Sequence, residues 1–261
     1  MAVALRRLAI GGGICLVLGV TVAAGATVQR NGLRITLLSQ VQPYKLPREG
    51  TAPVAVFVAG HVATVGGGVP QQLLGLAIRV NRHALLRSRG LPRCVAPEIE
   101  SSSTERALAA CGGALVGSGR FWAHIVLPEQ GAYPTQGRLL VFNGRSNGRR
   151  ALLAHIYTES PFPSSFVIPF AMRALHEGVY GTELVASLPE ALGEWGYVDR
   201  IKLTLKRRYR RGGHTYSYFN AGCPALPGAN TAAFHLAFAD FSFAGGRQVG
   251  VDVTKACGVR E

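Results

Sequence analysis

Residues 201–219 read IKLTLKRRYRRGGHTYSYF. Ile201, Leu203 and Leu205 alternate with Lys202, Thr204 and Lys206, the period of two that marks a half-buried strand. Gly212 and Gly213 then supply a two-residue turn of the kind that needs positive φ angles. The spacing predicts a hairpin in which Tyr209 opposes Tyr216 and Arg207 opposes Tyr218. In that register Ile201, Leu203 and Leu205 face a core. Lys202, Thr204, Lys206, Arg208 and Arg210 form one solvent-facing row, with Thr215 and Ser217 beside it. Such a row suits phosphate or carboxylate groups. It is equally what a solvated edge strand uses to block aggregation.

The same pattern extends outward in both directions. Upstream lie the apolar runs Leu33 to Leu38, Val54 to Val65 and Leu73 to Val80. Between them and the hairpin come Phe121 to Leu127, Arg138 to Phe142, Ala151 to Tyr157, Phe166 to Phe170 and Glu183 to Leu188. Val198 to Tyr209 leads into the hairpin, whose return arm is Thr215 to Phe219; Ala232 to Phe243 and Val249 to Val253 follow. Short strands separated by Gly and Pro indicate a sandwich or barrel rather than βαβ units. The one helix signal is Ser102-Ser103-Thr104-Glu105, which reads as a capping box with Ser102 as N-cap and Glu105 reaching back. A short helix is expected over Thr104 to Ala110. The expected fold is all-β: a sandwich-like antiparallel domain with one short helix, disulfide-stapled, over residues 27–261.

The chain has 261 residues, 48% of them hydrophobic and 16% charged, enough apolar material to exclude wholesale disorder. Its 28 basic residues outnumber its 14 acidic ones, giving a net charge of +14. Such a surface attracts polyanions: nucleic acid, anionic headgroups or acidic cell-wall polymers. Only Lys45, Lys202, Lys206 and Lys255 are lysines. A GC-rich genome accounts for arginine over lysine but not for the shortage of acids.

Residues 1–26 have the parts of a signal peptide: Arg6 and Arg7, an uncharged run from Leu8 to Ala24, and the small-x-small site Ala24-Gly25-Ala26. Cleavage after Ala26 is expected. The rival, an uncleaved anchor, is disfavoured by Gly11, Gly12, Gly13 and Gly19 in the run. Cys15 lacks the upstream aliphatic residue of a lipoprotein site. No later segment is apolar enough to span a membrane. Four cysteines remain, and an even number in an exported chain suggests disulfides. Of three pairings, Cys94–Cys111 and Cys223–Cys257 join nearest partners. No C-x-x-C pair supports zinc, and no cofactor motif occurs.

Gly144-Arg145-Ser146-Asn147-Gly148 matches G-x-S-x-G, the turn that exposes a hydrolase serine between a strand and a helix. The surrounding α/β alternation is missing, and Asn143-Gly144 and Asn147-Gly148 are hairpin dipeptides, so a loop is expected. The seven histidines form no metal spacing, and His124, His155 and His235 lie inside strand-like runs. Asp240 and Asp252 are strand carboxylates without an obvious partner.

Three cysteine neighbourhoods carry a resemblance: Leu91-Pro92-Arg93-Cys94, Ala109-Ala110-Cys111-Gly112-Gly113-Ala114-Leu115-Val116-Gly117, and Ala221-Gly222-Cys223-Pro224-Ala225. With the signal peptide, they resemble exported β-rich proteins of high-GC actinobacteria, a group with no assigned activity. The resemblance implies a secreted β-rich domain with paired cysteines and carries over no catalytic residue. Two functions follow. The first is a secreted or envelope-associated binding module for an anionic cell-wall polymer or other polyanion, with Lys202, Lys206, Arg208 and Arg210 as its site. The alternative is a secreted hydrolase whose site assembles only in three dimensions.

Overall fold

The computed structural model describes residues 24–126, 129, 131–176, 178–188 and 196–260. Cys15 and the charged and apolar parts of the export segment lie outside the described residues. So does Leu127, the end of one expected run.

The strands in chain order begin with β1 (Ala24–Arg30), β2 (Leu33–Gln42), β3 (Lys45–Pro47), β4 (Ala52–Pro53), β5 (Ala55–Thr64), β6 (Leu73–Asn81), β7 (Ala84–Leu86) and β8 (Cys94–Val95). The helix α1 (Thr104–Cys111) follows. Then come β9 (Leu115–Ile125), β10 (Tyr133–Ser146), β11 (Arg149–Thr158), β12 (Ser164–Ala174), β13 (Tyr180–Ser187) and β14 (Gly196–Leu205). The chain ends with β15 (Arg208–Arg211), β16 (His214–Ser217), β17 (Phe219–Ala221), β18 (Thr231–Phe243) and β19 (Arg247–Arg260).

One large sheet carries the order β1-β2-β5-β14-β9-β10-β11-β12-β13-β6-β18-β19-β3, with β8 added beside β10. Its neighbours are antiparallel except β3 with β19 and β8 with β10. The sheet curls until its two edges meet. The chain leaves β2 at Gln42 and re-enters at Lys45 as β3, beside the last long strand. At the other end of the seam, Asn31 donates to the Gln248 carbonyl (3.3 Å) and Arg247 donates to the Asn31 carbonyl (3.2 Å).

The alternation that predicted strands also fills the interior. Leu33 and Ile35 of β2 pack against Phe241, Phe243, Val249 and Val251 across the curl. Phe121, Leu139, Ile156 and Ile168 form a second cluster with Ile201 and Leu203. Tight curvature puts backbones in contact at several glycines, among them one on β9 and one on β10. A Cβ at Gly119 would collide with the Lys202 carbonyl, and one at Gly137 with the Tyr157 carbonyl. A small sheet, β4-β17-β7, covers one end. There the Cys223–Cys257 disulfide (Cα–Cα 5.8 Å) is packed with buried Tyr218 and Phe219.

The helix and the turn before it lie over β10 and β11, where Ala107 of the helix and Ile99 of the turn cover Leu140, Phe142 and Leu153. The Cys94–Cys111 disulfide (Cα–Cα 5.5 Å) pins it there. The N-cap is Ser103, one residue later than the capping-box reading: its Oγ accepts from the Arg106 amide at 3.4 Å and donates to Glu105 at 2.9 Å. Ser102 is buried, and its hydroxyl is taken by the Ile99 carbonyl at 2.8 Å.

A second difference concerns the opening stretch. The run Val198 to Tyr209 is not one strand. It leaves the large sheet after Leu205 and resumes as a separate ribbon, β15–β16. Tyr209 opposes Tyr216 as expected, with rings stacked at 5.8 Å, and Gly212 (φ 54°) and Gly213 (φ 78°) make the turn. The break coincides with two contacts to distant segments. Arg207 donates to the Gly113 carbonyl (3.1 Å), and the Tyr209 hydroxyl donates to the Arg89 carbonyl (2.9 Å). Together these hold the ribbon away from the line of β14.

Candidate functional site

The outer surface of the large sheet divides by charge. On the quarter formed by β12, β13, β6 and β18, opposite charges face each other. Arg173 pairs with Glu183 at 2.8 Å, Glu183 lies 4.0 Å from Arg79, and Arg79 pairs with Asp240. Arg79 also lies 4.7 Å over the Phe238 ring. Asp252, on β19, accepts from or pairs with His235 Nδ1 at 2.6 Å. Both strand carboxylates singled out in the sequence therefore have partners, Arg79 for Asp240 and His235 for Asp252.

On β14, β9 and β10 the arrangement is opposite in kind. Lys202 stands directly across from Arg120, and Arg120 directly across from Arg138. All three are exposed. Residues directly opposite share a face and sit about 5 Å apart, and like charges in that relationship are destabilising. Unit charges at that separation repel by up to ~1 kcal/mol in water before screening. No ion pair among the described residues includes any of the three. Glu105 of α1 acts on Arg138 at the end of the ladder. Its carboxyl is held below the ordinary value by backbone and Ser103 hydrogen bonds first, and more weakly by Arg138.

The next row on the same face is led by Trp122. Arg200 lies opposite it on β14 and Gln136 opposite it on β10. The Arg200 guanidinium carbon is 5.7 Å and the Lys202 ammonium 5.9 Å from the indole centroid, near the outer limit of cation–π contact. Both cations lie over the ring at that distance, so indole and cations form one patch.

Of the four residues expected to form the binding row, Lys202 joins this ladder. Lys206 is exposed just past the end of β14, and its amide donates to the Val116 carbonyl at 2.9 Å. Arg208 and Arg210 are exposed on the ribbon, across from Ser217 and Thr215. Exposure alternates through the break, but the four stand on two pieces of sheet rather than one strand. Ser217 is no donor beside the row: it is buried and its hydroxyl donates to the Phe219 carbonyl at 2.9 Å.

Other candidates resolve structurally. Ser146 ends β10 opposite Arg149, and Asn147 (φ 49°) with Gly148 (φ 73°) makes a hairpin turn straight into β11. No helix follows it, so the G-x-S-x-G stretch is not a nucleophile elbow. Cys94, Cys111 and Glu98 have ligand atoms within 4.8 Å of one another, but the sulfurs are joined to each other. His155 is fully buried beneath the helix N-terminus. Its Nε2 donates to the Ser102 carbonyl at 3.0 Å and lies 3.2 Å from Ser165 Oγ. Burial holds its pKa below the ordinary 6.5, against a weaker opposing effect of that carbonyl. An apolar opening lined by Phe121, Ile156, Phe162, Phe166 and Val198 has a volume of about 80 Å³. Small-molecule sites run to roughly 300 Å³ and above.

The sequence reading missed Arg120, Arg138, Trp122 and Arg200. A local trace of the two arginines exists. Gly119-Arg120-Phe121 and Gly137-Arg138-Leu139 each place a cation between two inward positions. No helix among the described residues is long and apolar enough to cross a membrane. No family model, curated protein or solved structure matches the chain.

Proposed function

We propose that this protein is a non-enzymatic binding module for an anionic polymer, acting in the cell envelope or outside the cell. The observation that carries the reading is the ladder Lys202–Arg120–Arg138, three cations opposed on neighbouring strands while the other side of the sheet pairs its charges. A free protein gains nothing from such an arrangement, whereas a bound polyanion turns the repulsion into attraction. From Lys202 the cations continue through Lys206 to Arg208 and Arg210, so the basic surface is extended and suits a polymer better than a single small anion. Two disulfides fit an oxidising compartment. The export reading of residues 1–26 and the resemblance to exported actinobacterial proteins point the same way.

Binding of heparin or long-chain polyphosphate, measured across salt concentrations, tests the proposal. Counterion release makes such affinity fall steeply between about 50 and 200 mM salt. Replacing Lys202, Lys206, Arg208 and Arg210 by Ser is expected to weaken it. Absence of binding at low salt, or an affinity indifferent to salt, contradicts the proposal.

A further inference from the structure

Two rows run side by side across the strands on this face, and their chemistry differs. The first is cationic: Lys202, Arg120 and Arg138, continued by Tyr157 opposite Arg138 on β11. The second combines hydrogen-bonding groups with one aromatic ring. It runs Thr36, His61, Arg200, Trp122 and Gln136 from β2 through β5, β14 and β9 to β10, each directly opposite the next. Gln136 is exposed, and Trp122, His61 and Thr36 are half-buried. Asp199 adjoins this row beside Arg200 at a bulge in β14, and no ion pair joins it to Arg200.

We infer that this face, with Trp122 as its platform, binds an acidic polysaccharide lying across the strands, sugar rings over the second row and anionic substituents over the first. The inference rests on the polyanion reading and names its substrate class. Amide, hydroxyl, imidazole and guanidinium groups around one aromatic ring match the mixed donors and acceptors of a sugar ring, which has apolar faces and polar edges. The neighbouring cations sit one residue pair along the strands, about 7 Å away, where a ring's charged substituent reaches. Polyphosphate uses the cations and has nothing to place on Trp122. A single-stranded nucleic acid stacks successive bases on several aromatics set among the cations; here the cationic row ends on one half-buried ring, Tyr157, and the indole stands among hydrogen-bonding groups.

The experiment uses the chain with Trp195 replaced by Phe, so that Trp122 is the sole indole. Heparin, polyphosphate and an oligothymidylate are titrated in turn. Heparin is expected to change the Trp122 emission more than polyphosphate does, since polyphosphate acts on the ring only through Lys202 and Arg200 beside it. Trp122→Ala and the surface variant Gln136→Ala are expected to weaken heparin binding, the former by about fivefold, the scale of one aromatic contact. Polyphosphate affinity is expected to hold in both, and urea unfolding reports that they are folded. Equal loss of heparin and polyphosphate means that Trp122 only places the cations, and it overturns the inference while leaving the polyanion reading intact. Unchanged heparin binding in both variants does the same. Oligothymidylate binding tighter than heparin, with the same Trp122 dependence, reassigns the class to nucleic acid and overturns the inference. If the parent chain binds none of the three, the polyanion reading fails first.

Discussion

Arg120 on β9 stands directly across from Arg138 on β10, two exposed cations on neighbouring strands with no acid in ion-pair contact among the described residues. Lys202 extends the pair to a third strand. The close approach of β14 to β9 that creates this ladder depends on what lies behind it, at Gly119, where any side chain would strike the Lys202 carbonyl.

Gly119→Ala is therefore expected to destabilise the protein by about 1–3 kcal/mol, because the new methyl meets backbone rather than a movable side chain. Urea unfolding measures this. Binding by the folded fraction is expected to drop as well, since the substitution displaces Lys202 from Arg120. A variant as stable as the parent means that the two strands are not held in this contact.

What was legible in the sequence was local. Alternation in residues 201–205 and 232–243 marked strands, and Gly212-Gly213 fixed the register of Tyr209 on Tyr216. Nearest-neighbour pairing of Cys94 with Cys111 and Cys223 with Cys257 was also correct. What was not legible was which distant strands become neighbours. Lys202, Arg120 and Arg138 belong to three separate runs, and only the sheet order β14-β9-β10 sets them side by side. The break at Lys206 and Arg207 was hidden for a related reason. Exposure alternates across it with unchanged parity, so a strand that changes sheets looks like one that continues. Ser102 misled because two serines adjoin the helix start. The choice between them was made by burial of Ser102 against His155, a contact between distant segments.

The two disulfides are expected to differ modestly in what they contribute. Cys94–Cys111 closes a separation of 17 residues and Cys223–Cys257 one of 34. Loop entropy gives about 3 kcal/mol for a closure of the shorter length, and a doubling adds about 0.6 kcal/mol. Paired Cys→Ser variants in urea unfolding should reproduce that order, and peptide mapping without reduction should recover the same two linkages.

His155 makes stability depend on pH. Its imidazole is kept neutral by burial, below the ordinary 6.5. Above that value neither folded nor unfolded chain holds the proton, and no penalty arises. As pH falls below it the unfolded chain takes up a proton that the folded one refuses. Stability is then lost progressively until the pH passes the folded-state value. Comparing the unfolding free energy of the parent with that of His155→Gln at pH 7.5 and pH 5 isolates this contribution. The parent is expected to lose more stability; equal losses exclude His155 as the source.

Ser146 is expected to resist a serine-directed fluorophosphonate probe. It ends a strand opposite Arg149 in a two-residue hairpin, with no helix N-terminus behind it to furnish an oxyanion hole. Mass spectrometry of probe-treated protein reads the outcome, and specific modification of Ser146 would revive the hydrolase alternative.

The central claim is that the opposed cations form a site, beyond the pull of a net charge of +14. Two variants of equal charge separate these. One replaces Arg120, Arg138 and Lys202 by Ser; the other replaces Arg30, Arg106 and Arg260, exposed cations outside the ladder. Heparin affinity is measured for both at one fixed salt concentration, alongside the parent. The account predicts that the ladder variant loses binding while the scattered variant keeps most of it. Equal loss in the two, or no loss in either, contradicts it.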